Sequence, residues 1–258
     1  MKCRVCGKEA SIRLTAYNTA LCGDDFLSFF EKRVVQTIEK YSLIGKSGLP
    51  LVAVSGGKDS RALLHLLRAR QRTVPEHYDL VAIHVEAGIA GTMPLRPVLE
   101  PWFRELAVDY AFTPLELPPD EPLPLDCFRC AWQRRKALFL KARELGCNKL
   151  AFGHHADDAA YTTLLNLFYG GRLETMAPRG EYFDEQITLI RPLIYLEERR
   201  LSQLARALGL VLPEGTCPLS HTSRRAWIKA WLRQAGPEYR QIRTNLWRAA
   251  RRQGGFEA

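Results

Sequence analysis

The sequence predicts an α/β fold: a doubly wound parallel sheet with an N-terminal metal knuckle and a C-terminal basic helical region. Three observations predict it. The apolar run Leu51-Val52-Ala53-Val54 passes through the glycine turn Ser55-Gly56-Gly57-Lys58-Asp59-Ser60 into a helical pattern, so a strand feeds a helix. A second continuous apolar run, Leu80-Val81-Ala82-Ile83-His84-Val85, has the composition of a parallel strand covered on both faces. Strand-like and helix-like stretches then alternate, which implies right-handed crossovers. The 258 residues suffice for one sizeable core plus a small appendage.

Residues 1–23 are too few to build a core yet carry three cysteines, so metal binding is expected to order them as a knuckle. Between residues 24 and 41, Phe26, Phe29, Phe30, Val34, Ile38 and Tyr41 recur near helical spacing; residues 24–48 are read as a linker helix ending before Pro50. Residues 49–217 are read as the main domain. Its expected strands lie near 51–54, 80–85, 110–117, 149–152 and 187–190, with helices near 59–70, 97–106, 128–145 and 196–208 and another opening at 153–158. Residues 218–258 are read as a basic tail of two helices. No internal repeat or low-complexity segment interrupts this order.

The formal charge is +9, and from His221 onward nine Lys or Arg face two carboxylates. Trp227, Trp231, Tyr239 and Trp247 are interleaved with those cations, a composition suited to RNA phosphates and bases, with Arg224, Arg225, Lys229 and Arg248 as the RNA-binding candidates. The alternative is a pair of amphipathic helices with their aromatics turned to the core. No apolar run approaches roughly 18 residues and no signal-like start is present, so a cytoplasmic protein without a membrane partner is expected. Seven cysteines, with two C-x-x-C pairs, favour thiolate ligation in a reducing compartment over disulfides.

The turn at 55–60 has the chemistry of a phosphate cradle. Paired glycines let backbone N–H groups approach an anion, Lys58 supplies a mobile cation, and a helix presents its positive end. Its spacing differs from a Walker loop. Ligands of doubly wound sheets bind beyond the carboxyl ends of the strands, which gathers Ser55, Gly56, Gly57, Lys58, Asp59, Ser60, His84 and Gly153 as ATP-binding candidates along one rim. Asp157 and Asp158, on the same rim, are read as ligands of Mg²⁺ against the phosphates or as proton-transfer groups; the competing reading is helix capping. His154 and His155 could equally satisfy buried hydrogen bonds.

Cys127 and Cys130, at the start of a helix, and the distant Cys217 form a three-cysteine set suited to an iron–sulfur cluster with one open iron. A persulfide or redox pair and a set of buried thiols are the alternatives. Cys147 is read as a packed apolar residue. Cys3, Cys6 and Cys22 are read as zinc ligands with Asp25 as candidate fourth, His65 and His77 being the other options.

The loop at 55–60, Cys127-x-x-Cys130, Gly153-His154-His155-Ala156-Asp157-Asp158 and Cys217-Pro218, in this order, resemble the iron–sulfur tRNA 2-thiolation enzymes of the ATP pyrophosphatase (PP-loop) superfamily. The likeness covers most of residues 1–220. The segment 83–89 and the N-terminal knuckle look like the branch acting on uridine or ribothymidine 54, whereas Leu167-Phe168-Tyr169-Gly170-Gly171-Arg172 looks like the branch that makes 2-thiocytidine 32. The sequence departs from the position-54 branch at three points. Asp25 stands where that branch has a histidine, Arg134 stands where it has a lysine proposed to be catalytic, and no second knuckle follows Cys217.

The resemblance implies an adenine nucleotide alpha hydrolase-like fold and an ATP-dependent tRNA sulfurtransferase. ATP with Mg²⁺ would adenylate the C2 oxygen of a pyrimidine, uridine 54 first and cytidine 32 next, and sulfur delivered through a [4Fe-4S] cluster would displace AMP. Asp157, Asp158 and Arg134 would be its catalytic residues, Arg134 or Arg135 steadying charge. Implied partners are tRNA and a sulfur donor, whether sulfide, persulfide or a ubiquitin-like carrier; the knuckle and linker helix would suit a homodimer contact. The rival readings are a cluster-free persulfide thiolase, a lysidine synthetase, a small-molecule ATP pyrophosphatase or sulfurtransferase, and a non-catalytic metal-bearing RNA-binding protein.

Overall fold

A computed structural model describes residues 1–14, 18–45, 48–73, 78–88, 93–121, 123, 125–210 and 222–254. An antiparallel hairpin, β1 (Ile12–Leu14) and β2 (Thr19–Leu21), leads into α1 (Gly23–Lys40). Then follow β3 (Pro50–Ala53), α2 (Lys58–Thr73), β4 (Val81–Glu86), α3 (Arg96–Glu105), β5 (Asp109–Pro114) and α4 (Cys127–Glu144). The chain continues through β6 (Lys149–Ala151), α5 (Ala156–Gly170), β7 (Arg179–Tyr182), β8 (Ile187–Ile190), α6 (Glu198–Ala207), α7 (Arg224–Arg233) and α8 (Tyr239–Gly254).

Strands β3 to β8 form one sheet in the order β5-β4-β3-β6-β8-β7. From β3 the chain builds outward first through β4 and β5, then returns to place β6 on the other side, so the order reverses at β3. In such sheets the crevice at the reversal, beyond the carboxyl ends of β3 and β6, is where ligands bind. The doubly wound sheet is parallel throughout β3, β4, β5, β6 and β8 and carries one antiparallel edge strand. β7 pairs antiparallel with β8 in the register Arg179↔Ile190 to Tyr182↔Ile187. Only four residues separate the two strands, too few for the crossover a parallel return requires; Phe183, Asp184 and Glu185 make the turn at φ of 55°, 53° and 66°.

All four residues of β3 are buried because helices cover both faces of the sheet. Val52, Val54, Ala82, Ala151 and Ile190 pack in one core with residues of α1, α2, α3 and α6, while Leu51, Ala53, Ile83, Leu150 and Leu189 pack in another with Leu138, Phe139 and Ala142 of α4. Helix α1 is anchored: its Phe26, Phe30, Val34 and Ile38 join the first core, together with Cys3, Leu14, Leu21 and Cys22 of the knuckle.

The basic C-terminal helices have a third core of their own. Ile228 and Leu232 of α7 meet Tyr161 and Leu164 of α5, with Tyr239, Ile242 and Leu246 of α8 alongside. Their aromatics divide: Tyr239 packs inward, and Trp247 lies edge-to-face on Tyr195 at 4.7 Å, whereas Trp227 and Trp231 are exposed. Among the described residues no helix is long and apolar enough to cross a membrane.

Candidate functional site

The turn after β3 is built as a closed loop. Ser60 Oγ accepts from Ser55 N at 3.2 Å and donates to Gly57 O at 3.0 Å, locking the turn onto the first residues of α2. Gly56 sits at φ +86°, a left-handed conformation that side-chain-bearing residues rarely adopt, and a Cβ there would lie 2.3 Å from Leu95 Cδ1. Lys58 Nζ lies 3.0 Å from Asp59 Oδ2 and 3.4 Å from Glu198 Oε1, and Lys229 Nζ reaches the same Glu198 oxygen at 2.7 Å. Burial opposes the charge on Lys58, but the Asp59 and Glu198 carboxylates outweigh it and raise its pKa, so the ammonium stays charged at neutral pH. Asp59 Oδ1 is buried without a hydrogen-bond partner among the described residues, an open hard-oxygen acceptor of the kind that suits Mg²⁺.

The neighbouring rim segments are held close to this loop. A Cβ on Gly153 would come within 2.9 Å of the backbone of Asp59 and Ser60, so this position, expected to touch ATP, lets the β6 exit press against the start of α2. His84 is buried with Nδ1 2.7 Å from Val54 O. Its pKa is lowered by burial first and by the Arg134 and Arg96 charges, against the pull of the Val54 carbonyl and Glu86; the neutral ring therefore donates from Nδ1 and keeps Nε2 as an acceptor. Arg134 has a buried Nε without a partner among the described residues, whereas Arg96 is paired to Glu86 through two bonds of 2.9 and 2.6 Å. His154 stacks on Phe152, and burial depresses its pKa to about 3, which keeps it neutral.

The two aspartates expected to meet Mg²⁺ or move protons have other partners. His155 caps α5 in a reciprocal box: its side chain accepts from Asp158 N at 3.4 Å, and Asp158 Oδ2 accepts from His155 N at 3.1 Å. Asp158 Oδ1 also accepts from Arg225 at 2.8 Å. Asp157 is buried and accepts from Tyr239 Oη at 2.6 Å, Glu198 N at 2.7 Å and Arg243 Nη1 at 3.2 Å. Burial pushes the Asp157 pKa up, but Arg243, Tyr239 and the Glu198 amide outweigh it and hold it below the ordinary value. Through these partners the two carboxylates form a joint that ties α5 to α6, α7 and α8. The physical reason is that carboxylates at a helix start satisfy unpaired N–H groups and its positive end.

Cys127 opens α4 and is exposed, and Cys130 is half-buried one turn later. Asp126 caps the helix by accepting from Arg129 N at 2.8 Å. The nearly buried Glu121 accepts from Arg129 Nε at 2.7 Å and Nη2 at 2.6 Å and from Gln133 Nε2 at 2.5 Å, bracing the preceding loop on the cysteine turn. Residues three apart share a helix face, and the helix start favours thiolates, so this pair fits two soft ligands of an iron–sulfur cluster. Cys217 lies outside the described residues. Cys147 is buried and its thiol pushed up to about 11, as a packed residue should be.

The knuckle assembles four donors. The ligand atoms of Cys3, Cys6, Cys22 and Asp25 all lie within 4.8 Å of one another, with Asp25 Oδ2 3.0 Å from Cys3 Sγ and 3.1 Å from Cys22 Sγ. Cys6 and Cys22 sulfurs are 3.6 Å apart, close to the ~3.7 Å edge of a tetrahedron with Zn–S bonds of ~2.3 Å. Three thiolates and a carboxylate fit a structural zinc, and His65 is not part of the group. His77 lies outside the described residues.

Of the four RNA-binding candidates, Arg225 bonds Asp158 and Thr162, and Lys229 bonds Glu198. Arg224 stacks over Tyr169 at 4.4 Å, and exposed Arg248 lines a cleft of about 350 Å³ with Arg240, Arg243, Arg251 and Trp247. Sequence reasoning missed Glu198 and Glu121. Neither sits in a motif, and only the proximity of distant cations marks them.

A sequence model described as "2-thiouridine synthetase TtuA, N-terminal LIM domain" matches residues 2–27. The tRNA-cytidine(32) 2-sulfurtransferase of Geobacter sulfurreducens is 35% identical over 223 residues, covering 84% of this chain and 86% of that one. Its namesake from Syntrophotalea carbinolica is 36% identical over 227 residues, covering 84% and 85%. Among solved structures, the U34-tRNA thiolase NcsA from Methanococcus maripaludis with its [4Fe-4S] cluster superposes with a TM-score of 0.82 at 24% identity, covering 100% of this chain and 89% of that one. At that identity the likeness is one of fold.

Proposed function

The chain belongs to the family of the tRNA-cytidine(32) 2-sulfurtransferases, and from that premise we propose that it is an ATP-dependent tRNA 2-thiolation enzyme of the cytoplasm. The observation that carries the reading is the convergence of two chemistries at one edge of the sheet. The loop after β3 offers a charged Lys58 and a glycine turn for polyphosphate, and the crossover from β5 delivers the start of α4, with Cys127 and Cys130, at that same carboxyl edge.

In this reading the pyrimidine O2 attacks the α-phosphorus of ATP and pyrophosphate leaves; a sulfur nucleophile then attacks C2 and AMP leaves with the original oxygen. An amide-like oxygen is a poor leaving group until adenylated, which is why ATP is needed. Lys58 offsets the phosphate charge, Gly56 and Gly57 let the backbone approach it, Ser60 keeps the loop closed and Asp59 Oδ1 would offer an oxygen to Mg²⁺. Arg134, whose charge acts on His84 and whose buried Nε has no partner among the described residues, would meet developing charge. A [4Fe-4S] cluster held by Cys127, Cys130 and Cys217 would supply an open iron position for sulfur. The sulfur would come from sulfide, persulfide or a protein carrier, and the knuckle with α1 would suit a homodimer contact.

For the base, cytidine 32 takes precedence over the uridine 54 suggested by the knuckle and the segment 83–89, because the relatives named for cytidine 32 cover 84% of this chain, whereas the 2-thiouridine synthetase match is confined to residues 2–27. That knuckle match keeps uridine 54 as the second reading. The test is mass spectrometry of nucleosides from unmodified tRNA incubated anaerobically with reconstituted protein, Mg²⁺-ATP and sulfide. A 2-thiocytidine product supports position 32, and a 2-thiouridine-type product supports position 54. Neither product from protein that binds ATP and carries an intact cluster would defeat the thiolase reading.

A further inference from the structure

Helix α7 divides its surface three ways. Arg225 and Lys229, four residues apart, face the rim and bond Asp158 and Glu198. Ile228 and Leu232 enter the core shared with α5 and α8. Trp227 and Trp231 face outward at 53% and 45% exposure, joined by Phe168 at 46% and Tyr169 at 50% from the last turn of α5. The two indoles are nearly parallel, 6.5 Å apart with planes 14° from each other, and Phe168 meets both edge-on at 6.4 and 5.8 Å. The Arg224 guanidinium carbon lies over the Tyr169 ring, 4.4 Å from its centroid.

Four large aromatics, each about half exposed and gathered in one cluster, call for a partner. The charge around them selects which. Helix α7 carries four cations and no carboxylate. A two-fold contact with a second copy would set that positive helix against itself, whereas RNA brings phosphates to it. Unpaired RNA bases stack on aromatic rings and arginine planes, and duplexed bases cannot. The patch is also near the chemistry, because Lys229 on the opposite side of the same helix shares Glu198 with Lys58.

We propose that Phe168, Trp227 and Trp231, with the stacked Arg224–Tyr169 pair, form a platform on which unpaired loop nucleotides flanking the target base of the tRNA stack. The inference rests on the tRNA reading above. These residues position substrate and lie outside the ATP loop and the cysteine set.

The test compares affinities of wild-type protein, the W227A/W231A double variant and W227F/W231F, by fluorescence anisotropy, for unmodified tRNA and for a blunt RNA duplex of similar length. Binding of tRNA by W227A/W231A should weaken roughly ten- to hundredfold. Duplex binding should change less than twofold, and W227F/W231F should recover most of the loss. Because no cation is removed, the slope of log affinity against log salt should stay the same. Unchanged tRNA affinity in W227A/W231A, against a wild type that binds, would overturn the platform and leave the thiolase reading standing. So would an equal loss on the duplex, or a change of oligomeric mass with unchanged tRNA affinity, which would assign the patch to contacts between copies. A wild type that binds no tRNA would remove the tRNA reading and the platform together.

Discussion

The two cysteine sites of this protein are organised in opposite ways. In the knuckle, Cys3 and Cys22 are buried in the first core and converge with Cys6 and Asp25 until the donors crowd one another. On α4, Cys127 is exposed, Cys130 half-buried, and the pair rests on a helix turn braced from below by Glu121 and Arg129. A closed four-donor set suits a metal that holds structure, and an open set on a rigid turn suits one that must meet a substrate. The difference in burial therefore predicts a difference in consequence when a ligand is removed.

The sharpest break between the two sites is expected on activity. Cys127→Ala and Cys130→Ala should each lower thiolation at least about a thousandfold and bleach the visible absorbance of the cluster. The thermal midpoint of the cluster-free protein should move by no more than about 2 °C, since neither side chain is in the core. Full activity in either variant would defeat the cluster assignment. Cys22→Ser should behave in the reverse manner: bound zinc is lost on elemental analysis, and a separate low-temperature unfolding transition appears for residues that metal had ordered. A single unshifted transition would mean that packing on α1, not metal, holds the knuckle.

Next in size is the loop. Lys58→Ala should reduce ATP-dependent turnover about a hundredfold while the cluster absorbance is unchanged, separating phosphate handling from sulfur handling. The joint at Asp157 should tell on stability. Asp157→Asn removes one of the two carboxylates that Arg243 meets, leaving it Glu197, and should cost about 1–3 kcal/mol in denaturant unfolding. The folded-state pKa of Asp157 lies below its ordinary value, so its contribution is fully present above the unfolded pKa of roughly 4 and is lost as pH falls through the folded one. Wild type should thus lose this increment only under acid conditions, and D157N should lack that part of the acid dependence. The smallest effect belongs to the knuckle's carboxylate. Asp25→His should keep the fold and slow zinc loss to a chelator about tenfold, imidazole being the commoner ligand in structural sites.

Legibility in the sequence followed the range of the interaction. The loop after β3, the buried strands β3 and β4 and the cysteine spacings are local patterns, and each appears in the structure close to its expected residues. β7 was not legible, because Arg179-Gly180-Glu181-Tyr182 has no buried residue and is seated by its backbone pairing with β8 and the Tyr182 ring against Phe139. The fate of Asp157 was equally hidden. Its sequence context reads as a helix start beside a nucleotide loop, yet its partners Glu198, Tyr239 and Arg243 lie 41, 82 and 86 residues away. The aromatics of α7 and α8 share one composition, and only the seat of each helix on α5 turned Tyr239 inward and Trp227 and Trp231 outward.

By itself the chain's pattern of apolar runs, glycines and cysteines determined the α/β class, the phosphate loop and the two metal-competent sites. These depend on dihedral freedom, side-chain period and ligand chemistry, all of which act within a few residues. The tertiary structure decided which distant partners the acids of the rim acquire, and which rings are core and which are surface. Those outcomes depend on desolvation and on charges brought from distant segments, and neither exists until the segments meet.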